Sequence, residues 1–368
     1  GSKLQRLDDR SHQWEMCDQR RRLSIFGGEG SKLNLKNKEL DMNRRTRKKK
    51  KKKKLRAFGC LFLILFLIAG GYAVYLSIKL ANVSFLAQED LERGRKSELR
   101  EQPVDPKKDN FSVLFIGVDA RPGEKKSRSD ALILASFNKD EKSIKMVSIP
   151  RDSRVKIPGH NRDKITHAHA FGGKDLTVET VENLLDIPVD YYVELNFNAF
   201  IDIVDALGGV EVNSDREFTE QDSKGKKDAI HIKKGVQTLN GEEALAYVRM
   251  RKKDPLGDIG RGKRQQEVIK AIIEKSSSLS AITKYDDIID SLGKNLTTNF
   301  SIGNILALQK YAGSISSIES LTIDGYDNPI NGTYYYQLEE DSLEEVSTEL
   351  RNHLEYKRDF SINSSKLR

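Results

Sequence analysis

The sequence predicts a single α/β domain, a mixed sheet flanked by helices, preceded by one transmembrane helix. Short apolar runs that end at Gly, Asp or Asn are typical of buried strands. Between them, apolar residues recur with a helical period, as at positions 178, 181, 184 and 185 of 175–186. Residues 57–78 predict the transmembrane helix, because these 22 residues carry no charge. Strands and helices joined by both hairpins and crossovers favour one layered α/β domain.

Each element of the main domain follows from its own local pattern. The predicted strands are 112–119, 131–137, 143–149, 191–196, 210–212 and 320–323. The predicted helices are 175–186, 197–209, 241–246, 265–276, 285–291, 302–312 and 342–354. Asn240 is predicted to cap the helix that starts at Gly241. Residues 213–235 are polar, and a mobile loop is expected there.

The positive charge is concentrated near the N-terminus. Although the net charge is +8, residues 1–78 hold 20 Lys and Arg against 7 Asp and Glu, and the remainder holds 43 against 48. A duplex-binding domain carries its basic field on its folded part, so no nucleic-acid partner is expected. Residues 1–41 show no sustained period and are left unassigned, and whether they are native stays open.

The basic run and the uncharged segment predict a membrane topology. Arg44–Lys54 has ten basic residues in eleven. A 22-residue helix spans about 33 Å, enough for a hydrocarbon core of about 30 Å. The positive flank places the N-terminus in the cytoplasm, which gives a single-pass type II membrane protein. The expected order is a cytoplasmic tail 42–56, a transmembrane helix 57–78, an extracellular stalk 79–110, a folded domain 111–356 and a C-terminal tail 357–368.

Arginines are dense in 247–266, YVRMRKKDPLGDIGRGKRQQ. If Tyr247–Arg251 is extended, Arg249 and Arg251 point to one face and the apolar residues between them to the other. This prediction places two guanidiniums side by side.

A helix is predicted after the loop that holds Asp258. In it, Arg261, Arg264 and Gln265 share a face, because they are spaced i, i+3 and i+4. Guanidinium suits an oxyanion with several oxygens, since its planar fork binds phosphate in a bidentate way and keeps its charge. A solvated basic surface with scattered ion pairs is the alternative interpretation.

Charged residues also lie at predicted strand ends. Asp119 ends one strand and Asp130 starts the next, so the two carboxylates meet if these strands are neighbours. Mg²⁺ prefers carboxylates, phosphate oxygens and water, and rarely takes a full protein cage. Basic residues in the same loop or near other strand ends are Arg121, Arg128, Arg151, Arg154 and Lys164. Strand ends are where α/β folds build sites, although each residue alone is better explained as a turn residue or a surface ion pair.

Histidines and cysteines give no second site. His167 and His169 would share a face in a strand, with His160 nearby in the sequence. A zinc site usually needs three or four ligands, and Cys17 and Cys60 both lie outside the main domain. Core or hydrogen-bonding histidines are therefore the favoured interpretation.

Six ordered blocks resemble the signature of the LytR-CpsA-Psr family. They are IGVDAR (116–121), RSDALIL (128–134), SIPRDSRV (148–155), KITHAHAFGG (164–173), LGGVEV (207–212) and LNGEEALAYVRMRKKDPLGDIGRGKRQQ (239–266). The resemblance covers about 111–312, with a compatible tail to about 356. It implies an enzyme of Gram-positive bacteria, a glycopolymer-phosphate transferase that attaches a polymer, here wall teichoic acid, to peptidoglycan.

The resemblance also implies substrates and site residues. The donor would be a glycopolymer on undecaprenyl pyrophosphate, and the acceptor the C6 hydroxyl of N-acetylmuramic acid. Asp119 and Asp130 would hold Mg²⁺, or Mn²⁺ in its place. Asp258, Arg249 and Arg251 would be catalytic, with Asp258 a candidate general base or supporting carboxylate. The substrate-binding residues would be Arg128, Arg151, Lys164, Arg261, Arg264 and Gln265.

Two other functions remain open at this stage. One is a membrane-tethered transcription attenuator, which the basic tail suggests, although anionic lipid explains such a tail better. The other is a lipid-pyrophosphate phosphatase, which would use the same residues with water as the acceptor. The anchored topology favours transfer, because it holds the domain where a lipid-linked donor and the cell wall meet.

Overall fold

The computed structural model describes residues 88–119, 127–276, 296–301, 303–304 and 317–357. The predicted tail 42–56, transmembrane helix 57–78 and helix 285–291 lie outside these residues, as does most of the predicted helix 302–312. Within the described ranges, no helix is both long and apolar enough to cross a bilayer.

Strands and helices alternate along the folded part of the chain. The strands are β1 (Phe111–Val118), β2 (Ser129–Asn138), β3 (Ser143–Ser148), β4 (Arg154–Lys156), β5 (Arg162–Lys164), β6 (Tyr191–Asn196), β7 (Val210–Ser214), β8 (Phe218–Glu220), β9 (Ile230–Ile232), β10 (Gly235–Leu239), β11 (Leu296–Thr298), β12 (Ile318–Thr322), β13 (Gly325–Asp327) and β14 (Tyr336–Leu338). The helices are α1 (Thr166–Leu185), α2 (Phe197–Ala206), α3 (Gly241–Arg249), α4 (Gly257–Ser276) and α5 (Glu340–His353).

A mixed sheet organises these elements, as predicted. Its described strands run in the order β11-β6-β1-β2-β3-β12. The β1–β6 and β3–β12 pairs are parallel, whereas β1–β2, β2–β3 and β6–β11 are antiparallel. Two-stranded ladders join β7 to β10, β4 to β5, β8 to β9 and β13 to β14. Residues 213–235, expected to be a loop, thus contribute β8 and β9 and parts of β7 and β10.

Alternation along the central strands builds a core on each face of the sheet. On one face, Leu114 and Leu134 are fully buried in a cluster that includes Val181 of α1 and Leu350 of α5. On the other face, the neighbouring strand residues join a second cluster, to which Phe111, Val113, Ile133, Ala135 and Met146 belong. Because successive strand residues point to opposite faces, an almost uninterrupted apolar run gives a strand covered on both sides.

Helix α1 starts nine residues earlier than predicted. Its first turn holds His167 and His169, so the expected strand face for these histidines is wrong. A kink at Gly172 and Gly173 separates this part from the predicted helical repeat, and Gly173 has φ of 62°. The sequence did not predict the part of the helix before these two glycines, because glycine has a low helix propensity.

Residues 88–110 belong to the folded domain, which corrects this part of the predicted stalk. Leu91 is only 4% exposed and joins the core. Arg93 pairs with Glu182, and Arg100 donates to Asp190 at 2.8 Å. Charged residues of this polar segment, which was predicted to be a stalk, are therefore partly used in ion pairs with the domain.

Candidate active site

Helix α3 carries the first arginine of the site. A capping box starts the helix, because Asn240 and Glu243 each accept a hydrogen bond from the other's backbone N–H at 2.9 Å. The helix continues through Arg249, so the predicted extended run Tyr247–Arg251 is wrong. The chain leaves the helix at Met250, which has φ of −58° and ψ of 127°. Arg251 follows this turn and still reaches the same cavity as Arg249.

This cavity has a volume of about 290 Å³ and lies between α3, α4 and the ends of β2 and β3. Its charged and amide lining residues are Asp130, Arg151, Glu220, Gln221, Arg249, Arg251, Lys252, Arg261 and Gln265. Five cationic groups therefore face two carboxylates. The resulting positive field favours an anionic ligand, since arginine binds phosphate oxygens through charge-assisted hydrogen bonds.

A β-bulge presents Asp130 at the cavity edge. Gly117 pairs with Ala131 and Val118 with Ser129, so Asp130 is the extra residue of β2. Bulges re-aim side chains and are frequent beside active sites. The Asp130 carboxylate accepts a hydrogen bond from Arg151 at 2.5 Å, which fixes both groups against the cavity.

Asp119 follows β1 directly and is exposed. It lies at the same end of the β1–β2 pair as Asp130, as the sequence predicted from the strand ends. Within the part of the chain that the structure describes, no group of three or more His, Cys, Asp or Glu could hold a metal. Two carboxylates still fit Mg²⁺, because this ion completes its shell with phosphate oxygens and water.

Asp152 joins two cations just after β3. Its Oδ2 accepts a hydrogen bond from Arg251 at 2.5 Å, and its Oδ1 contacts the Lys164 ammonium at 2.8 Å. The residue is only 3% exposed. Burial alone would raise the pKa of Asp152, but the Lys164 hydrogen bond and the charges of Lys164, Arg151 and Arg251 hold that pKa below its ordinary value. Asp152 is therefore an ionised anchor for both cations.

Asp258 lies behind the arginines and does not line the cavity. Its Oδ1 is 3.0 Å from Arg261 and 3.6 Å from Arg251, and its side chain is 1% exposed. Burial raises the pKa of Asp258, against the lowering effect of Arg261 and Arg251. The predicted role as general base stays a prediction, since the described contacts of Asp258 are to the two arginines. The alternative role of a supporting carboxylate fits.

Arg249 differs from its neighbours because no described residue forms an ion pair with it. Its guanidinium carbon lies 4.9 Å from the centre of the Phe197 ring, a cation–π contact that orients the group. An anionic ligand in the cavity would supply the missing countercharge.

Buried polar atoms without a hydrogen-bond partner are concentrated around this site. Asp258 accepts no hydrogen bond but is in ion pairs with Arg261 and Arg251, whereas the Ser129 and Ser153 hydroxyls and the Arg151 Nε have no hydrogen-bond partner among the described residues. Leaving such atoms unpaired costs about 1–3 kcal/mol each. Their concentration indicates a region built for polar partners such as a ligand or bound water.

Arg264 does not take part in the cavity, contrary to the prediction. Its Nε donates to the Tyr247 carbonyl at 3.1 Å, one terminal nitrogen donates to Asp254 at 2.5 Å, and the other donates to the Met250 carbonyl. The last carbonyls of a helix lack intrahelical partners, so Arg264 satisfies the end of α3. Of the three residues predicted to share a helix face, only Arg261 and Gln265 line the cavity.

The sequence of this chain matches a family model. The model of the LytR_cpsA_psr family aligns with residues 74–352. The chain belongs to this family. Among curated relatives, the polyisoprenyl-teichoic acid–peptidoglycan teichoic acid transferase TagT of Bacillus subtilis is 51% identical over 294 residues, 78% of this chain and 90% of the relative. TagV of the same organism is 44% identical over 304 residues, 80% of this chain and 77% of the relative.

Solved structures of the LytR_cpsA_psr family share the fold. TagT bound to LIIa-WTA has a TM-score of 0.64 at 49% identity, covering 73% of this chain and all of TagT. The family protein YwtF (TagT) with bound octaprenyl pyrophosphate lipid has a TM-score of 0.61 at 45% identity, with the same coverage.

Two of the predicted substrate-binding residues, Arg128 and Lys164, do not line the cavity. Arg128 is exposed just before β2, and Lys164 is held by Asp152. Their predicted contacts with substrate stay predictions. Sequence analysis missed the cavity residues Phe197, Lys252, Glu220 and Gln221.

Proposed function

We propose that this chain is a membrane-anchored phosphotransferase that moves a glycopolymer, wall teichoic acid, from undecaprenyl pyrophosphate to a sugar hydroxyl of peptidoglycan. The observation that carries the proposal is the cavity in which Arg151, Arg249, Arg251 and Arg261 converge with few carboxylates. The named activity of the TagT and TagV relatives and the polyprenyl pyrophosphate bound by YwtF support it.

The transfer breaks the phosphoanhydride bond of the donor and forms a phosphodiester bond to the acceptor. The acceptor hydroxyl oxygen forms a bond to the phosphorus that carries the polymer, and the bond from this phosphorus to the bridging oxygen of the diphosphate breaks. Undecaprenyl phosphate leaves with the electron pair of that bond. The hydroxyl proton passes to a cavity carboxylate, for which Glu220 is the described lining residue that is not assigned to the metal.

The arginines supply most of what this reaction needs. Phosphoryl transfer depends on positioning and on stabilising charge at the phosphoryl oxygens. Arg249, which lacks an ion-pair partner within the described ranges, would bind those oxygens directly. Asp152 and Asp258 would hold Arg251 and Arg261 in place, so that little reorganisation accompanies the reaction.

Asp119 and Asp130 would hold Mg²⁺ at the β1–β2 edge, with Mn²⁺ as a substitute. The fit rests on their shared strand end and on the bulge that turns Asp130 towards the cavity. A bound divalent ion neutralises diphosphate charge and so lowers the repulsion that an incoming oxygen meets.

The uncharged residues 57–78 would anchor the chain, with residues 42–56 in the cytoplasm and the folded domain outside a Gram-positive cell membrane. This placement is supported by segment length and by the flanking charge. It brings the arginine cavity to the face of the membrane from which a lipid-linked donor and peptidoglycan are both reached.

A transfer assay tests the proposal. The full-length protein in liposomes is given Mg²⁺, polymer on undecaprenyl pyrophosphate, and uncross-linked peptidoglycan strands. The expected product is polymer covalently linked to the strands, together with one undecaprenyl phosphate per link. Release of free polymer without linkage would instead identify a lipid-pyrophosphate phosphatase.

A further inference from the structure

A row of aromatic and cationic side chains leads away from the candidate active site. Lys164, which contacts Asp152, lies 5.6 Å from the centre of the Tyr334 ring and 5.8 Å from that of Tyr335. The Arg154 guanidinium lies 5.8 Å from the Tyr335 ring. The other oxygen of Asp152 binds Arg251 of the cavity, so one carboxylate connects the cavity to this row.

The two tyrosines are held firmly in place. The Tyr334 hydroxyl donates to Asp327 at 2.8 Å, and the Tyr335 hydroxyl donates to Asp163 at 3.4 Å. The next residue, Tyr336, donates its backbone N–H to the Asp152 carbonyl at 2.9 Å. Tyr334 nevertheless stays 37% exposed, which makes it a fixed aromatic surface beside the site.

The row continues to a second exposed ring. Asp163 contacts His167 at 2.7 Å, and the His167 ring centre is 5.9 Å from that of Phe171. Phe171 stacks on His160 at 4.5 Å and is 46% exposed. Exposed aromatic rings thus mark both ends of a continuous row of contacts, which we call the aromatic row: Tyr334, Tyr335, Lys164, His167, Phe171 and His160.

This composition matches a polymeric sugar. The C–H face of a sugar ring packs against an aromatic ring, while neighbouring polar groups bind its hydroxyl and amide substituents. Lys164 and Arg154 also suit the carboxylates of stem peptides. A strand of several sugars could contact both exposed rings at once, whereas a single small ligand would contact only one of them.

We infer that the aromatic row binds the acceptor glycan strand and brings its hydroxyl to the arginine cavity. This inference rests on the proposed function. It assigns the diphosphate to the cavity side of Asp152 and the acceptor sugars to the Lys164 side.

The test measures steady-state transfer by the full-length protein in liposomes, with peptidoglycan strands and donor varied separately. Tyr334→Ala and Phe171→Ala are each expected to raise KM for the strands by about tenfold. KM for the donor and kcat at saturating strands should stay within about twofold. Tyr334→Phe keeps the ring and should retain most of the affinity for strands. Tyr326→Ala is the matched control, because Tyr326 is 55% exposed and makes no ring contact with the aromatic row in the described structure.

An unchanged KM for the strands in the Tyr334→Ala, Phe171→Ala double variant would overturn the inference, provided that wild type transfers. An equal rise in KM for the donor would also overturn it, since the row would then serve the donor. Absence of transfer by wild type would instead overturn the proposed function. Thermal melting separates these results from misfolding, and Phe171→Ala alone tests the inference if Tyr334→Ala unfolds the protein.

Discussion

Arg251 and Asp152 form a 2.5 Å ion pair that joins the segment after α3 to the segment after β3. Asp152 also contacts Lys164 at 2.8 Å, so one carboxylate fixes two cations on opposite sides of itself. We expect Asp152→Asn to lower transfer about 100-fold, because a small displacement of a positioning group costs a rate factor of this size. The folded state should lose about 2 kcal/mol, since Arg251 remains one-third exposed and keeps some solvation.

The control for Asp152→Asn is Asp140→Asn. Asp140 pairs with Lys139 at 2.6 Å, but its side chain is 64% exposed. Surface pairs of this kind contribute at most about 1 kcal/mol. Equal losses of transfer rate in the two variants would show that Asp152 has no special part in positioning Arg251.

Removal of the Arg249 guanidinium should abolish most activity without unfolding the domain. Arg249 packs on Phe197 and forms no ion pair with the described residues, so Arg249→Ala leaves no buried carboxylate unpaired. We expect transfer to fall by about 10²–10³-fold, which is typical for the loss of one group that stabilises charge. The unfolding free energy, from urea titration, should change by less than about 1 kcal/mol. Normal turnover by Arg249→Ala would remove this residue from the mechanism.

Arg264→Ala, in contrast to Arg249→Ala, should mainly lower the stability of the folded domain. Its guanidinium satisfies two backbone carbonyls at the end of α3 and the buried Asp254. Removing one partner of a buried pair costs about 3–5 kcal/mol, so the melting temperature should fall by about 10 °C. Lys263→Ala, at the exposed neighbouring position, is the control and should melt like wild type. A stable Arg264→Ala protein that had lost only diphosphate binding would restore the role predicted from sequence.

His353 should make the domain less stable as the pH falls. Its Nδ1 and Nε2 are each 2.7 Å from a serine hydroxyl, those of Ser136 and Ser143, and the residue is 3% exposed. Burial lowers the pKa of His353 below its ordinary value. The unfolded chain therefore binds the proton first, and stability is lost as the pH falls from about 6.5 towards the folded pKa, by up to about 1.4 kcal/mol per pH unit. Urea titrations at pH 7.5, 6.5 and 5.5 should show a smaller loss in His353→Gln, and identical losses would contradict this assignment.

The central sheet was predictable because both of its faces are buried. Each of its strands except β11 was predicted within a few residues, since apolar runs bounded by turn residues leave few alternatives. The short strands β8 and β9 were not, because strands of three residues carry too little periodicity to be distinguished from the polar loop around them.

The helix that carries Arg249 shows where local pattern fails. Alternation in 247–251 suggested a strand, but the capping box at Asn240 and Glu243 starts a helix that runs through Arg249. Met250 then turns the chain, so Arg249 and Arg251 reach one cavity for a reason other than strand alternation. Likewise, a shared helix face was predicted for Arg261 and Arg264. Hydrogen bonds to the end of α3 hold the Arg264 side chain away from the cavity.

The most direct measurement of the central claim is a crystal structure of the protein with a polyprenyl diphosphate and Mg²⁺. We expect the phosphate oxygens to bind Arg249, Arg251 and Arg261 in the cavity beside Asp130. A diphosphate bound at another surface, with these arginines free of it, would contradict the account.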